Sequence, residues 1–157
     1  MRDELAAVST APSLAVRLPT EMQWERAARS DDPQQAQKHR WPFVATAAEV
    51  PHRANVRGSG IETTSGVGVF APNNVGVYDF AGNTWEWMDN AYDADDRTGF
   101  VRVADGESPK GPLSLRGGSW FDRPELASCS SRSGFPPSGW YNFMGFRVVL
   151  SLAKNEN

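Results

Sequence analysis

Few side chains in this sequence are equipped for covalent or metal chemistry, and their types narrow what that chemistry can be. There is one cysteine, Cys129, and there are two histidines, His39 and His52. A lone thiol makes no internal disulfide, and a thiolate-rich zinc site needs more ligands than the chain holds. Cys129 is read as a small buried hydrophobe. A second group follows Trp120. Phe121, Phe135, Trp140, Tyr141 and Phe143 are interleaved with Ser131, Ser133, Gly134, Ser138 and Gly139. Aromatics give rigid contact area and small residues give adaptable hydrogen bonding, which is the chemistry of binding loops. Arg123 adds a charged contact beside Phe121. The same aromatics could fill a core, but residues 121–143 lack the alternation of a packed strand, and a binding surface is the preferred reading.

These residues need elements to hold them. In RLPTEMQWERAARS, residues 17–30, Thr20 is an N-cap and Gln23 closes a capping box. Trp24, Ala27 and Ala28 fall on one stripe, and a helix is expected over 21–29. Residues 31–74 are polar and turn-rich, with a few short strands at most; so long a loop region must be pinned by side chains, an ion or packing under the tryptophans. Alternation around Glu86 predicts a strand through Trp85 and Trp87. SLRGGSWF, residues 114–121, reads as a strand with a Gly-Gly break, and MGFRVVLSL, residues 144–152, as a closing strand. Trp85, Trp87, Trp120, Phe146 and Val148 are assigned to the core. Arg116 and Arg147 are assigned buried hydrogen-bonding roles, and Asp93, Asp95 and Asp96 a solvated loop. The expected class is α+β, with many short strands and ordered loops. Residues 1–16 are expected to be a flexible or truncated N-terminal segment, residues 17–152 the domain, and residues 153–157 a tail.

Composition bounds the partners. The chain has 157 residues, 22% charged and 39% hydrophobic, with net charge −3 and six tryptophans. The size suits one domain with a sizeable core. No basic cluster supports nucleic-acid binding. No apolar run nears the roughly 18 residues of a membrane span. The start of the chain has no signal-peptide pattern, and the cysteine content leans towards a reducing, cytoplasmic location.

Three phrases together carry a resemblance: RLPTEMQWERAAR at 17–29, GVYDFAGNTWEW at 76–87, and LRGGSW followed by GFRVV across 115–149. In this order the chain resembles the sulfatase-modifying-factor family, which includes the formylglycine-generating enzyme. The resemblance implies a C-type lectin-like fold. It also implies a calcium site at Asp79, Gly82, Thr84 and Glu86, and a second at Asn55 and Val56 whose acidic partner has no clear match. In the enzyme, two cysteines between GGSW and GFR hold copper, a soft ion that selects thiolates. Only Cys129 lies in that interval, so oxidase activity is not expected. The family's usual segment ahead of the RLPTE helix is absent or reduced to Met1–Val16, which implies a piece of a longer protein or an altered N-terminal topology.

The interval between GGSW and GFR is similar to the variable proteins of diversity-generating retroelements. In those proteins a stretch of variable positions sits between the two motifs, with Pro, Arg and Pro as framework, here Pro124, Arg132 and Pro137. That resemblance implies a ligand-binding variable protein. It would display Phe121, Arg123, Ser131, Ser133, Phe135, Ser138, Trp140, Tyr141 and Phe143 to a protein or other macromolecule. A formylglycine-generating-type oxidase, or a degenerate non-catalytic relative acting as an accessory domain, is the alternative.

Overall fold

The computed structural model describes residues 14–29, 39–95 and 111–152. Asp96, the segment 30–38 and the tail 153–157 lie outside the described residues, as do residues 1–13 of the expected N-terminal segment.

Helix α1, Glu21–Arg29, begins where its cap predicts. The Gln23 amide donates to Thr20 Oγ1 at 3.3 Å, and the Thr20 amide donates to Gln23 Oε1 at 3.0 Å. These reciprocal bonds satisfy donors that a bare helix end leaves unpaired. At the other end Asn73 Nδ2 donates to the Ala27 carbonyl at 2.8 Å. The helix buries Trp24 and Ala28 against a four-stranded sheet.

That sheet comprises β2 (Trp85–Ala91), β3 (Leu113–Arg116), β4 (Arg132–Phe135) and β5 (Met144–Gly145), in the order β4-β3-β2-β5. β3 is antiparallel to both neighbours, pairing Glu86 with Arg116 and Arg116 with Arg132. β5 runs parallel to β2. A separate antiparallel ribbon joins β1 (Leu14–Arg17) to β6 (Val149–Leu152). Leu14, Ala15 and Val16 are thus strand residues, ahead of the boundary expected at residue 17.

Among the described residues the core has two clusters. One gathers Trp24, Ala28, Phe80, Met88 and Cys129, with the Phe80 ring edge-on to Trp24 at 5.2 Å and 87°. The other gathers Trp41, Val50, Ala54, Val56, Ala81 and Ala127. Backbone and side-chain hydrogen bonds pin the loops between them. The Asn83 amide donates to the Asn55 carbonyl at 2.7 Å, and Asn83 Oδ1 accepts from the Ser65 amide at 2.9 Å. Asp79, Gly82 and Asn83 all have positive φ, which holds residues 79–83 out of strand geometry until β2 starts at Trp85.

Several expectations need correction. The closing strand over 144–152 is two strands, interrupted at Phe146–Val148. Arg147 turns inward there to reach Glu86, so alternation sends its neighbours outward, and Phe146 is 69% and Val148 52% exposed. Trp87 and Trp120 are half-buried rather than core residues, whereas Trp85 is buried. The strand over 114–121 ends at Arg116, because Gly117 and Gly118 both take positive φ. Residues 121–143 do contain a strand, β4. Its alternation is hidden because Gly134 is the position over which the Tyr92 ring lies, where any Cβ would collide with that ring.

Candidate binding surface

Two charged anchors fix the framework. Glu86 is buried and accepts three hydrogen bonds of 2.6 Å, one from Trp24 Nε1, one from Arg147 Nε and one from the Arg147 terminal nitrogen Nη2. That nitrogen also donates to the Tyr78 and Asp79 carbonyls, at 3.2 and 3.1 Å, and the Arg147 guanidinium lies 4.0 Å from the Phe80 ring centroid. The second anchor is Glu21, also buried. Arg132 grips it through Nε at 2.6 Å and Nη2 at 2.7 Å, and Arg116 Nε lies 3.0 Å away at ion-pair distance without hydrogen-bond alignment. Burial works to raise the Glu21 pKa; hydrogen bonds from Arg132 and Ser114 and the two arginine charges outweigh it, so the net shift is downward. Arg116 further donates to Glu25 and to the carbonyls of Cys129 and Ser131. Arg116 and Arg147 therefore have the structural roles expected of them.

The segment after Gly117 and Gly118 is held equally firmly at its base. A Cβ on Gly118 would sit 2.8 Å from the Leu126 carbonyl, so glycine is required for this approach as well as for its φ of 70°. Asp122 Oδ2 accepts from Ser119 Oγ at 2.6 Å and from Trp85 Nε1 at 2.8 Å. Trp41 Nε1 donates to the Pro124 carbonyl at 2.8 Å. Of the expected framework trio, Pro124 and Arg132 make these anchoring contacts, while Pro137 is exposed in a turn.

On this base the nine expected binding residues divide. Phe121, Arg123, Ser138, Trp140 and Tyr141 are exposed, Trp140 to 88%. Phe135 and Phe143 are half-buried and both contact Tyr141: its ring meets Phe135 edge-on at 5.5 Å and stacks on Phe143 at 5.1 Å and 15°. Trp120 links the two ends of the segment, meeting Phe121 at 5.7 Å and donating from Nε1 to the Asn142 carbonyl at 3.4 Å. Ser131 turns inward, 2.7 Å from Ser128 Oγ and bonded to the Glu125 carbonyl. Ser133 is a β4 residue opposite buried Leu115. The structure thus brings Phe121 and the 135–143 aromatics towards one another through Trp120, and gives Ser131 a structural task.

Sequence reasoning missed Arg57. Its guanidinium lies 4.9 Å from the Phe121 ring centroid, Nε donates to the Phe121 carbonyl at 3.0 Å, and its amide donates to the Asp122 carbonyl at 2.8 Å. It stands far from Phe121 in the chain, and no local pattern marks it.

Asp79, Thr84 and Glu86 line one cavity of about 260 Å³, together with Asn83, Phe146 and Arg147; Gly82 is not among its walls. Asp79 Oδ2 accepts from the Gly68 amide at 2.7 Å. A calcium ion there would compete with Arg147 for Glu86 and for the Asp79 carbonyl, so these residues fit the guanidinium better than an ion. Asn55, expected at a second site, has its side-chain Oδ1 accepting from Ser59 Oγ at 3.1 Å and its backbone carbonyl accepting from the Asn83 amide. Cys129 is fully buried, and burial pushes its thiol up to about 12.

Among the described residues, small sheets, one α-helix and long pinned loops define an α+β domain whose ordered framework carries an exposed aromatic segment. The chain belongs to the sulfatase-modifying-factor family: the family model described as "Sulfatase-modifying factor enzyme 1-like domain" matches residues 4–152. It is 33% identical to the inactive Cα-formylglycine-generating enzyme 2 of Bos taurus, over 88% of this chain and 45% of that protein. Among solved structures it is similar to Treponema denticola variable protein 1, with a TM-score of 0.68 and 28% identity over 88% of this chain and 48% of the other. It is also similar to PvdO from Pseudomonas aeruginosa, with a TM-score of 0.72 and 29% identity over 88% of this chain and 53% of the other. The chain therefore spans about half the length of these relatives.

Proposed function

We propose that this domain is a non-catalytic binding module of the variable-protein kind, displaying residues 121–143 to a protein or other macromolecular ligand. The observation that carries this reading is Trp140, 88% exposed beside exposed Tyr141, on a segment whose base is tied to the core through Asp122 and Arg132. A large exposed aromatic on a rigid support is the usual anchor of an interface. The likeness to Treponema denticola variable protein 1 agrees with it. The alternative, a degenerate accessory relative of the oxidase, is favoured by the likeness to the inactive enzyme. Catalysis of the oxidase type has no support in the residues present, because Cys129 has no thiol partner and is buried.

The test is a binding comparison. Ligands are selected from a displayed peptide library on the native chain, then titrated against Trp140→Ala and Tyr141→Ala. Each substitution is expected to weaken binding at least about tenfold, the scale of a truncated hot-spot aromatic; Trp140→Ala should leave the melting temperature unchanged, and Tyr141→Ala, which loses its ring contacts with Phe135 and Phe143, should lower it modestly with the fold intact. Unchanged affinity in both variants would reject the display reading. Formylglycine formed in a sulfatase-type peptide by the purified protein with copper would restore the enzyme reading.

A further inference from the structure

Arg57 lies outside the displayed segment but is built into its edge. Its amide donates to the Asp122 carbonyl at 2.8 Å and its Nε to the Phe121 carbonyl at 3.0 Å, while its guanidinium rests over the Phe121 ring, 4.9 Å from the centroid. Both hydrogen bonds go to backbone carbonyls, which any residue at positions 121 and 122 would supply; only the ring contact depends on phenylalanine. The side chain is held although the residue is exposed, so much of the rotamer freedom that an arginine loses on gripping a ligand is already lost. Nε is committed to Phe121, whereas Nη1 and Nη2 have no hydrogen bond or ion pair among the described residues. Those two nitrogens are the end of a fork that matches both oxygens of a carboxylate, and cation–π contact with a ring does not consume them.

A second cation stands beside it. Arg123 is exposed and directly follows Asp122, whose carbonyl takes the Arg57 amide, so the two arginines leave neighbouring backbone. The Arg123 guanidinium also has no hydrogen bond or ion pair among the described residues. Asp122 pairs with neither: its Oδ2 accepts from Trp85 Nε1 and Ser119 Oγ. Two cations are thus exposed around Phe121 on a chain of net charge −3. We propose that Arg57 is a constant specificity residue of the displayed surface, taking a carboxylate of an acidic peptide at the Phe121 end, with Arg123 adding positive charge; the assignment rests on the display reading. Because Arg57 lies outside residues 121–143 and holds the segment by its backbone, substitutions within the segment would leave this preference in place. Two arginines on an acidic chain are too few to follow a nucleic-acid backbone, which favours a peptide carboxylate over phosphate.

The experiment selects peptides from a random displayed library on the 157-residue chain and titrates them. The selected peptides are expected to be richer in Asp and Glu than the input library. Replacing the acidic residue of a peptide by its amide, Asp by Asn or Glu by Gln, should weaken binding to the native chain at least about tenfold. On Arg57→Gln the same replacement should cost at most about threefold, a coupling that a residue merely propping Phe121 would not show. Added salt should weaken the acidic peptide more than its amide. The proposal is overturned if the peptides show no acidic enrichment, if the amide peptides bind the native chain as well as the acidic ones, or if the loss is as large on Arg57→Gln. It is also overturned if a polythymidine oligonucleotide binds more tightly than the peptides, which would make phosphate the ligand chemistry. The enrichment and the amide peptides are read on the native chain, so they decide the matter even where Arg57→Gln fails to fold. Binders that depend on Trp140 but on no carboxylate would overturn this assignment and leave the display reading standing; a library that yields no binder would overturn both.

Discussion

The ring of Tyr141 stacks on that of Phe143 at 5.1 Å and 15°, and Phe135 meets it edge-on at 5.5 Å. Tyr141 is therefore exposed but not loose: two half-buried rings set its orientation, and its outward surface is what remains free to bind. A rigid aromatic loses little conformational freedom on binding, which is why such residues serve as anchors. On the proposed reading, Phe143 and Phe135 support this surface, and Tyr141 and Trp140 are its contact residues.

Glu86→Gln should destabilise the fold by about 3 kcal/mol, the scale for removing one partner of a buried ion pair. Arg147 would keep its charge beside Phe80 with no anion to meet it. Urea denaturation followed by tryptophan fluorescence measures this. A change below about 0.5 kcal/mol would show that the Glu86 contacts do not hold the fold.

Acid should weaken the fold through Glu21. Its pKa is lower in the folded chain than the ordinary value of 4.5, so its contribution is complete above that value. It is lost as pH falls from the ordinary value through the folded one. Glu21→Gln should lower the melting temperature at pH 7 and flatten its decline below about pH 4.5. Parallel melting curves for the variant and the wild type across this range would contradict the assignment.

Cys129 should be inert in the native state. It is fully exposed to thiol reagents only once the core around Trp24 and Met88 opens. With its pKa pushed up to about 12, almost no thiolate exists at neutral pH. A disulfide reagent such as DTNB should react in denaturant with one equivalent and far more slowly without it. Rapid reaction in native buffer would show an accessible, activated thiol.

Calcium should change the melting temperature little relative to chelator, because Arg147 already supplies positive charge to Glu86 and to the Asp79 carbonyl. A ligand that binds the folded state raises its stability by mass action. A rise of several degrees in calcium would show that an ion displaces the guanidinium.

The parts legible in the sequence were those set by local rules. Helix α1 begins at its Thr20–Gln23 box, and the Gly117–Gly118 break is where the sequence puts it, although the strand does not resume beyond it. The family phrases were legible because they are the framework itself: Trp24, Glu86 and Arg147 come from three separate phrases and meet at one carboxylate. Long-range contacts were not legible. Arg57 reaches Phe121 across 64 residues, and nothing in either neighbourhood announces it. Their hydrophobicity assigns Phe146 and Val148 to the core. Hydrophobicity says that a side chain wants cover, and the inward turn of Arg147 shows that the cover is not supplied by the described part of this chain.

The measurement that tests the central claim most directly is the DNA sequence around the gene, compared across a population of cells. A retroelement-diversified display surface predicts a nearby reverse transcriptase and a near-copy of the 3′ coding segment that differs at adenines. It predicts substitutions concentrated at the codons of exposed Phe121, Arg123, Ser138, Trp140 and Tyr141, and spared at Asp122 and Arg132, which hold Trp85 and Glu21. The absence of any such copy, or substitutions falling as often on Asp122 and Arg132 as on Trp140 and Tyr141, would contradict it.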